Sequence, residues 1–248
     1  MPHQPTRCQL FVTCLVDRFC PEVGDATVAV LERLGIEVAV PADQTCCGQP
    51  AFNGGYRDEA AAMARHTIDV LSACPDPVVV PSGSCADMIV HHYPELFEGD
   101  PVYGPKARAL AARTFELSQF LVDVLGVTDV GGRGTGTVAY HASCHGLRQL
   151  GLRRQPRELL QHVAGIEADD LPDGETCCGF GGVFAVKMAP ISSAMLASKV
   201  NAITASGAAT VVATDVSCLL HIGGGLSRAG SSVRVRHLAE VLAEGGDV

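Results

Sequence analysis

Eight of the eleven cysteines in this 248-residue chain fall into one spacing pattern that occurs twice. Each occurrence has a leading cysteine, then an adjacent pair of cysteines followed by glycine, then a last cysteine. The corresponding offsets agree to within two residues. Repetition at matching offsets indicates two related thiolate sites, where we expect the function to lie. The first set is Cys14, Cys46, Cys47 and Cys85, and the second set is Cys144, Cys177, Cys178 and Cys218.

Four thiolates that meet at one point can hold a zinc ion or an iron–sulfur cluster. The paired C-x₂-C spacing of zinc ribbons and ferredoxins is absent from this sequence. Adjacent cysteines suit two irons of one cluster better than one tetrahedral ion, which favours iron–sulfur over zinc. We expect one [4Fe–4S] cluster per set, with zinc in one set as the alternative. Gly48 and Gly179 let backbone N–H groups approach the sulfur atoms, where such donors tune the reduction potential.

The composition excludes several other classes of function. A net charge of −9 disfavours a nucleic-acid-binding surface. No apolar run approaches the ~20 residues of a membrane helix, and no signal peptide opens the sequence. We therefore predict a soluble, cytoplasmic protein. In that reducing compartment an odd number of cysteines is not expected to form a disulfide framework.

Weak similarity outside the cysteines extends the repeat. The tripeptide Gly-Ile-Glu precedes each cysteine pair, at residues 35–37 and 165–167. A duplicated site should lie on a duplicated scaffold. We predict two half-domains, residues 1–128 and 129–248, with the glycine-rich stretch 131–136 as the linker.

Short apolar segments alternate with amphipathic ones along the chain, which predicts an α/β fold. Each repeat should form a small parallel sheet flanked by helices. Sites gather at the carboxyl ends of parallel strands, and the cysteines of the first set follow three predicted strands. The predicted strands are 8–13, 36–40, 78–80, 137–141, 210–214 and 233–235. The predicted helices are 22–34, 57–72, 106–125, 155–163, 191–206 and 237–244.

Histidines near the second set are candidate accessory groups. His141 and His145 flank Cys144, where either could ligate a cluster or relay a proton. A histidine satisfied by a loop carbonyl is an equally good interpretation of both. Ordinary structural roles are the better expectation for the remaining cysteines and for three other histidines, which are Cys8, Cys20, Cys74, His91, His92 and His221.

Basic residues also gather after Cys144. Arginine suits carboxylate recognition, so this group could bind a small hydroxy acid or an acidic partner. Charge runs are more often solvated helix faces, and that interpretation is the stronger one. The residues are Arg148, Arg153, Arg154 and Arg157, and the same two interpretations apply to Lys187 and Lys199. The three glycines at 223–225 lack the frame of a nucleotide-binding loop.

Five stretches resemble the cysteine-rich domain family found in heterodisulfide reductase and in the iron–sulfur protein of glycolate oxidase. They are FCPEVG at 19–24, QTCCGQP at 44–50, PSGSC at 81–85, YHASCHGLR at 140–148 and CCGFGGVFAVK at 177–187. The resemblance covers nearly the whole chain and is strongest to stand-alone, two-domain members that act in lactate utilisation. It implies an electron-transfer subunit of an iron–sulfur complex that oxidises L-lactate to pyruvate without a nicotinamide cofactor. The implied partners are a larger ferredoxin-like iron–sulfur subunit and a third small subunit.

One position in each repeat departs from the pattern of that family. Heterodisulfide reductase ends each frame in C-x-x-C, which supplies a fifth cysteine. Here the corresponding residues are Ser82 and Asp215. The five-thiolate double cluster of that enzyme is therefore not expected, and a four-cysteine [4Fe–4S] cluster is simpler. Ser82 and Asp215 remain candidate oxygen ligands, and an open iron could bind the hydroxy acid.

Two other functions fit the same cysteine pattern. A heterodisulfide- or quinone-type reductase subunit would use the clusters with a different substrate. A zinc-stabilised scaffold would use the cysteines for structure alone and would have no redox role. Iron content and the response to lactate separate these functions.

Overall fold

The computed structural model describes residues 4–245, and within them eight strands form two four-stranded parallel sheets. The first sheet contains β1 (Arg7–Leu10), β2 (Glu37–Ala39), β3 (Val78–Val80) and β4 (Thr114–Glu116). The second contains β5 (Arg133–Tyr140), β6 (Ala164–Asp170), β7 (Thr210–Ala213) and β8 (Arg234–His237). The strand orders are β2-β1-β3-β4 and β6-β5-β7-β8, so the two sheets have the same topology. The predicted α/β fold with two small parallel sheets is confirmed.

Helices cover the faces of both sheets. Those before β5 are α1 (Cys14–Phe19), α2 (Pro21–Arg33), α3 (Gln49–Asn53), α4 (Arg57–Leu71), α5 (Gly83–Asp87), α6 (Tyr93–Leu96), α7 (Tyr103–Ala111) and α8 (Leu117–Gln119). Those after it are α9 (Gln155–Gln161), α10 (Val183–Lys187), α11 (Ala189–Ser206), α12 (Val216–Arg228) and α13 (Leu238–Ala243). Three π-helical turns lie at Met88–His92, Phe120–Val124 and His145–Gln149. Among residues 4–245, no helix is long and apolar enough to cross a bilayer.

The strand order creates a crevice at one edge of each sheet. In the first sheet β1 lies between β2 and β3, so the chain turns to one side after β1 and to the other after β3. Loops that leave neighbouring strands in opposite directions open a gap at the carboxyl edge, where ligands bind in such folds. β5 and β7 form the same gap in the second sheet. Central strands such as β3 are buried along their whole length, as expected where helices cover both faces.

One apolar core is shared by both repeats. It joins Val30 of α2 and Val79 of β3 with Val138 of β5 and Leu242 of α13. The side chain of Arg33 crosses the same boundary and donates hydrogen bonds to carbonyl groups at the end of α13. Because this core spans residues on both sides of position 128, the predicted domain boundary stays a prediction.

The single helix predicted over residues 106–125 is wrong. Helix α7 ends at Ala111, and Thr114, Phe115 and Glu116 then form strand β4 before α8 begins. This segment pairs with β3, with Phe115 opposite Val79. Tertiary pairing of a threonine–phenylalanine segment outweighs a helical apolar pattern that continues through it.

The region 131–136 is not the linker that its glycines predicted. Residues from Arg133 onward belong to β5, which contains a register shift between Arg133 and Gly136. Strand β6 was not predicted at all. Its residues are mostly exposed and alternate with acidic side chains, because β6 is an edge strand of the sheet. The other predicted elements are found, and their bounds differ by a few residues.

Glu116 is buried at the end of β4. One carboxylate oxygen accepts hydrogen bonds from the backbone and hydroxyl of Ser118 and from the backbone N–H of Gln119. The other oxygen, Oε1, makes no hydrogen bond with the residues at 4–245. Burial raises the pKa of Glu116 to about 7. Glutamate in an unfolded chain ionises near pH ~4.3, so the folded chain keeps a proton that the unfolded chain loses.

Truncation of the shared core should destabilise the whole chain. We expect Leu242→Ala to lower the free energy of unfolding by about 2 to 5 kcal/mol, because it removes buried methyl groups and leaves a cavity. Leu220→Ala is the matched control, since Leu220 is 40% exposed, and should cost under about 0.5 kcal/mol. Urea unfolding under reducing conditions measures both. Equal costs would contradict a core shared between the repeats.

Replacement of Glu116 by Gln should remove one source of pH dependence. Between about pH 4.3 and pH 7 the unfolded wild type binds fewer protons than the folded wild type, so its stability falls as the pH rises. The variant lacks this proton. Its stability relative to wild type should therefore increase over that range by up to about 4 kcal/mol. Urea midpoints measured at several pH values test this. Glu37→Gln, at an exposed glutamate, is the control and should track the wild type.

Candidate metal centres

The first set of cysteines lies at the carboxyl edge of the first sheet. Cys14 opens α1 just after β1, Cys85 lies in α5 just after β3, and the Cys46–Cys47 pair lies in the loop after β2. All four line one cavity of about 120 Å³. The cysteines that the spacing pattern grouped together are therefore brought together in space.

The four thiols of the first set form a chain of contacts. The sulfur atoms of Cys47 and Cys85 are 3.3 Å apart. The neighbouring thiols of Cys14 and Cys47 and the N–H of Gly48 lower the pKa of Cys46. The same contacts raise the pKa of Cys14 and Cys47. One thiolate is thus stabilised at the centre of this chain of donors, and metal ligation requires that form of cysteine.

Side chains from other elements hold the first cysteine loop in place. The amide of Gln44 accepts from Val12 N–H at 2.8 Å and donates to the Leu10 carbonyl at 2.9 Å, which ties the loop to the end of β1. The hydroxyl of Tyr93 donates to the Cys47 carbonyl at 2.8 Å. The loop is therefore fixed on both sides of its cysteine pair.

The glycine after each cysteine pair is required by the backbone. Gly48 has φ of +87° and Gly179 has φ of +91°, a region that favours glycine. A Cβ atom at Gly179 would lie 2.7 Å from the Ser192 carbonyl oxygen. The N–H of Gly179 donates to the sulfur of Cys177 at 3.4 Å. This N–H contact is the kind of backbone approach to sulfur that was predicted for Gly179.

The second set repeats this geometry at the second sheet. Cys144 follows β5, the Cys177–Cys178 pair lies in the loop after β6, and Cys218 lies in the first turn of α12 after β7. Donation from Cys144, Cys178 and the Gly179 N–H lowers the pKa of Cys177. In each set the second cysteine of the pair and the last cysteine are buried, whereas the other two are partly exposed.

The two positions that depart from the family pattern contact each other across the repeats. The hydroxyl of Ser82 lies 3.4 Å from Asp215 Oδ2, and the N–H of Ser84 donates to the same oxygen at 2.9 Å. Ser82 also caps α5, and Asp215 caps α12 by accepting from the N–H of Ser217. Both residues line the first cavity. Their candidate role as oxygen ligands stays a prediction beside this capping role.

The first cavity is closed by the second repeat. Phe180, Val216 and Ser217 line it together with the four cysteines of the first set. Its exposed lining is mainly apolar, which limits the access of water to the sulfur atoms. The first centre therefore lies at the boundary between the repeats.

A buried carboxylate joins the two sets. Asp87 accepts a hydrogen bond from His145 Nδ1 at 2.7 Å and another from His91 Nδ1 at 2.8 Å. Burial acts to raise the pKa of Asp87, but the bonds from His145 and His91 outweigh it and the pKa is lowered. Asp87 in turn raises the pKa of His145. Sequence reasoning missed Asp87, although a lone acidic residue in the apolar stretch after Cys85 was an available signal.

The arginines after Cys144 are all paired with acceptors. Each guanidinium contacts an acidic side chain or a carbonyl group, so the solvated-face interpretation is favoured over carboxylate binding. Arg148 donates to the Glu175 carbonyl and thereby fastens the loop that leads to Cys177. The other pairs are Arg153 with Glu175, Arg154 with Asp123 and Glu158, and Arg157 with Asp170.

The two lysines differ from each other. Lys187 is exposed and lies near the Tyr56 hydroxyl. Lys199 is only 2% exposed, and its ammonium group donates to the Asp173 carbonyl at 2.9 Å and lies near the Thr176 hydroxyl. Lys199 therefore holds the loop just before the second cysteine pair.

The three remaining cysteines, His92 and His221 have ordinary structural contacts, whereas His91 donates to Asp87. Cys8 is buried in the shared core, Cys20 is half-buried, and the thiol of Cys74 donates to Asp76. His92 pairs with Glu95, and His221 packs edge-on against Phe180.

His141 stands apart from these. Its side chain is fully buried, and burial lowers its pKa to about 4, so the ring is neutral. One of its ring nitrogens and the sulfur atoms of Cys178 and Cys218 all lie within 4.8 Å of one another. Of the two candidate histidines, it is His141 that meets the buried cysteines of the second set.

Comparison with known proteins agrees with this geometry. The family described as "Cysteine-rich domain" (CCG) matches residues 8–90 and 138–223, one match for each cysteine set. A protein named lactate utilization protein A from an Exiguobacterium species is 51% identical over 237 residues, which is 95% of this chain and 96% of that protein. The chain belongs to the cysteine-rich domain family of lactate utilization protein A. The resemblance predicted from the sequence motifs is confirmed.

Other relatives give the same result. Lactate utilization protein A of Geobacillus kaustophilus is 51% identical over 236 residues, covering 95% of this chain and 98% of that protein. A protein of the same name from Bacillus pumilus is 49% identical, with the same coverage. A hypothetical protein from Helicobacter pylori shares the fold, with a TM-score of 0.65 at 10% identity. That match covers 99% of this chain, which spans half the length of the Helicobacter chain.

Removal of the Asp215 carboxylate should loosen the contact between the repeats. Asp215→Ala leaves the buried Ser84 N–H without its acceptor and removes the cap of α12, so we expect a loss of about 1 to 3 kcal/mol in the free energy of unfolding. Asp129→Ala is the control, because Asp129 is exposed and accepts one backbone hydrogen bond from Gly131. Urea unfolding measures both. A loss no larger than that of the control would argue against the contact.

Proposed function

We propose that this chain is an iron–sulfur electron-transfer subunit of a complex that oxidises L-lactate to pyruvate, with one cluster held by each set of four cysteines. One observation carries the proposal. Two sets of thiols converge in the same way at two sheet edges, in a chain about half identical to full-length proteins named for lactate utilization. The reducing cytoplasm, where eleven thiols stay free, is the compartment we propose.

The arrangement of the first set fits a multi-iron cluster better than a single ion. The contacts run from Cys14 to Cys46, then to Cys47 and then to Cys85. Within residues 4–245, no three sulfur atoms of this set lie within 4.8 Å of one another. A tetrahedral zinc ion needs all four ligands at about 2.3 Å from one centre. An open chain of thiols around a cavity is the arrangement that a larger group can fill.

The exposure of the cysteines determines where each cluster could exchange electrons with a partner. Oxidation of L-lactate to pyruvate releases two electrons and two protons, and an iron–sulfur cluster, when bound, carries electrons one at a time. The partly exposed Cys14 and Cys46, and the corresponding Cys144 and Cys177, give each set a side open to a partner. We propose that a ferredoxin-like iron–sulfur subunit docks there and that a third small subunit completes the complex.

Contacts between the repeats support a two-centre function. Asp87 and Asp215 each bind residues of the other repeat, next to a cysteine of one or both sets. The separation of the two centres is therefore set by hydrogen bonds between the repeats, one of them buried and one partly buried, instead of by a mobile linker. A fixed separation suits transfer of electrons between centres in one chain.

The metal content of each set can be tested separately. Anaerobically purified wild type should contain about eight irons and a matching amount of sulfide, the total for two [4Fe–4S] clusters. We expect Cys47→Ser or Cys178→Ser to lower the iron content to about half, since each removes a buried ligand of one set. Cys20→Ser is the matched control, because Cys20 is a half-buried thiol outside both sets. Elemental analysis and EPR after reduction measure the result.

Two outcomes would overturn the proposal. Stoichiometric zinc without iron in both sets would leave a structural scaffold as the function. A complete complex that reduces a disulfide or a quinone but transfers no electrons from L-lactate would identify a different substrate. The assay follows reduction of an artificial electron acceptor on addition of L-lactate, with D-lactate and buffer as comparisons.

A further inference from the structure

Corresponding positions of the two repeats differ in chemistry three residues before the leading cysteine. The first repeat has Phe11 at this position and the second has His141. Each follows the central strand of its sheet and donates its backbone N–H to the third strand, Phe11 to Val79 at 2.9 Å and His141 to Val212 at 2.8 Å. Both side chains are buried. The backbone therefore delivers a phenyl ring and an imidazole ring to equivalent places.

The imidazole carries polar atoms into a place that is apolar in the first repeat. Neither ring nitrogen of His141 completes a hydrogen bond with the residues at 4–245. The carbonyl of Gly174 lies beside the ring, but outside good hydrogen-bond geometry. A buried polar group without a partner is unfavourable. The ring nitrogens therefore lack a bonding partner among the described protein residues.

The neighbouring sulfur atoms of the second set indicate that the missing partner is a metal. A ring nitrogen of His141 and the sulfur atoms of Cys178 and Cys218 all lie within 4.8 Å of one another, and all three side chains are buried. In the part of the chain that the structure describes, the first set has no such compact group. Neutral imidazole and thiolate together form a donor set that suits both iron and zinc.

We propose that His141 is an imidazole ligand of the metal centre in the second set, so that the two centres of the chain have different donors. The proposal rests on the proposed function, because it needs a metal centre at that set. The second set then offers four thiolates and one imidazole, whereas the first offers thiolates alone. The Gly174 carbonyl lies beside the same ring, and metal-binding histidines commonly donate their other ring N–H to such a carbonyl.

Lys199 adds a second difference between the surroundings of the two sets. Met63 packs on Gly48 and Met195 packs on Gly179, so positions one turn further along α4 and α11 correspond. Those positions hold Thr67 and the buried Lys199. The nearby ammonium group of Lys199 favours the more negative, reduced form of a centre. The second centre should therefore be reduced more easily than the first.

Nitrogen hyperfine coupling tests the ligand directly. The full chain is produced with ¹⁵N-histidine, purified anaerobically and reduced, and its EPR-active centres are examined by pulsed EPR. We expect the coupling of a directly bound nitrogen in the wild type and its loss in His141→Phe, which copies the first repeat. His221→Phe is the matched control, since His221 is a partly buried histidine near the same set, and should keep the coupling.

The wild-type spectrum decides the result even if His141→Phe loses its metal. A full iron content without nitrogen coupling would overturn the role of His141 and leave the proposed function intact. Absence of any metal from the second set would overturn both. Zinc bound through nitrogen, detected by X-ray absorption, would support the ligand and overturn the second cluster.

A redox titration gives an independent readout. His141→Cys replaces a neutral ligand with a thiolate, so the midpoint potential of the second centre should shift to a more negative value while that of the first stays unchanged. An unchanged potential at the second centre would contradict direct ligation by His141.

Discussion

The buried carboxylate of Asp215 is the contact on which the arrangement of both cysteine sets depends. It caps the helix that carries Cys218 and accepts the backbone N–H of Ser84, next to Cys85. A single charged group therefore fixes the last cysteine of each set relative to the other. Since an unpaired buried charge is strongly unfavourable, neither helix can move without breaking hydrogen bonds to this group. The cavity at the first set exists because the second repeat is held against it.

Duplication gives the two cysteine sets one geometry, whereas single side chains around them differ in chemistry. The sheets, the glycine after each cysteine pair and the pattern of buried and exposed thiols are the same in both repeats. The surrounding side chains differ, with Phe11 against His141 and Thr67 against Lys199. The fold thus supplies equivalent positions, and substitution at those positions changes the chemistry around each set.

Local sequence predicted the parts of the fold that repeat or that follow a simple rule. The eight cysteines were grouped correctly in space because parallel strands end at the same edge of a sheet. β4 was missed because its pairing with β3 is a contact between distant segments, and the apolar pattern of 106–125 fits a helix equally well. β6 was missed because an exposed edge strand with acidic residues carries little hydrophobic signal.

The contacts between the repeats could not be predicted from the sequence. Asp87 has no periodic pattern, and its partner His145 lies 58 residues away. Ser82 and Asp215 were recognised as positions that had lost a cysteine, but their contact with each other depends on how the two sheets pack. These contacts depend on how the two repeats pack against each other, and no local sequence pattern predicts that packing.

The partly exposed thiols make the protein sensitive to oxidation. Each set has two cysteines shielded by the core and two at the surface. Accessible thiolates are the sites where dioxygen and peroxide begin to oxidise sulfur. The side of each set on which we propose that a partner subunit docks is thus also the side most accessible to oxidants. A subunit docked on that side would also cover these thiols and protect them from oxidation.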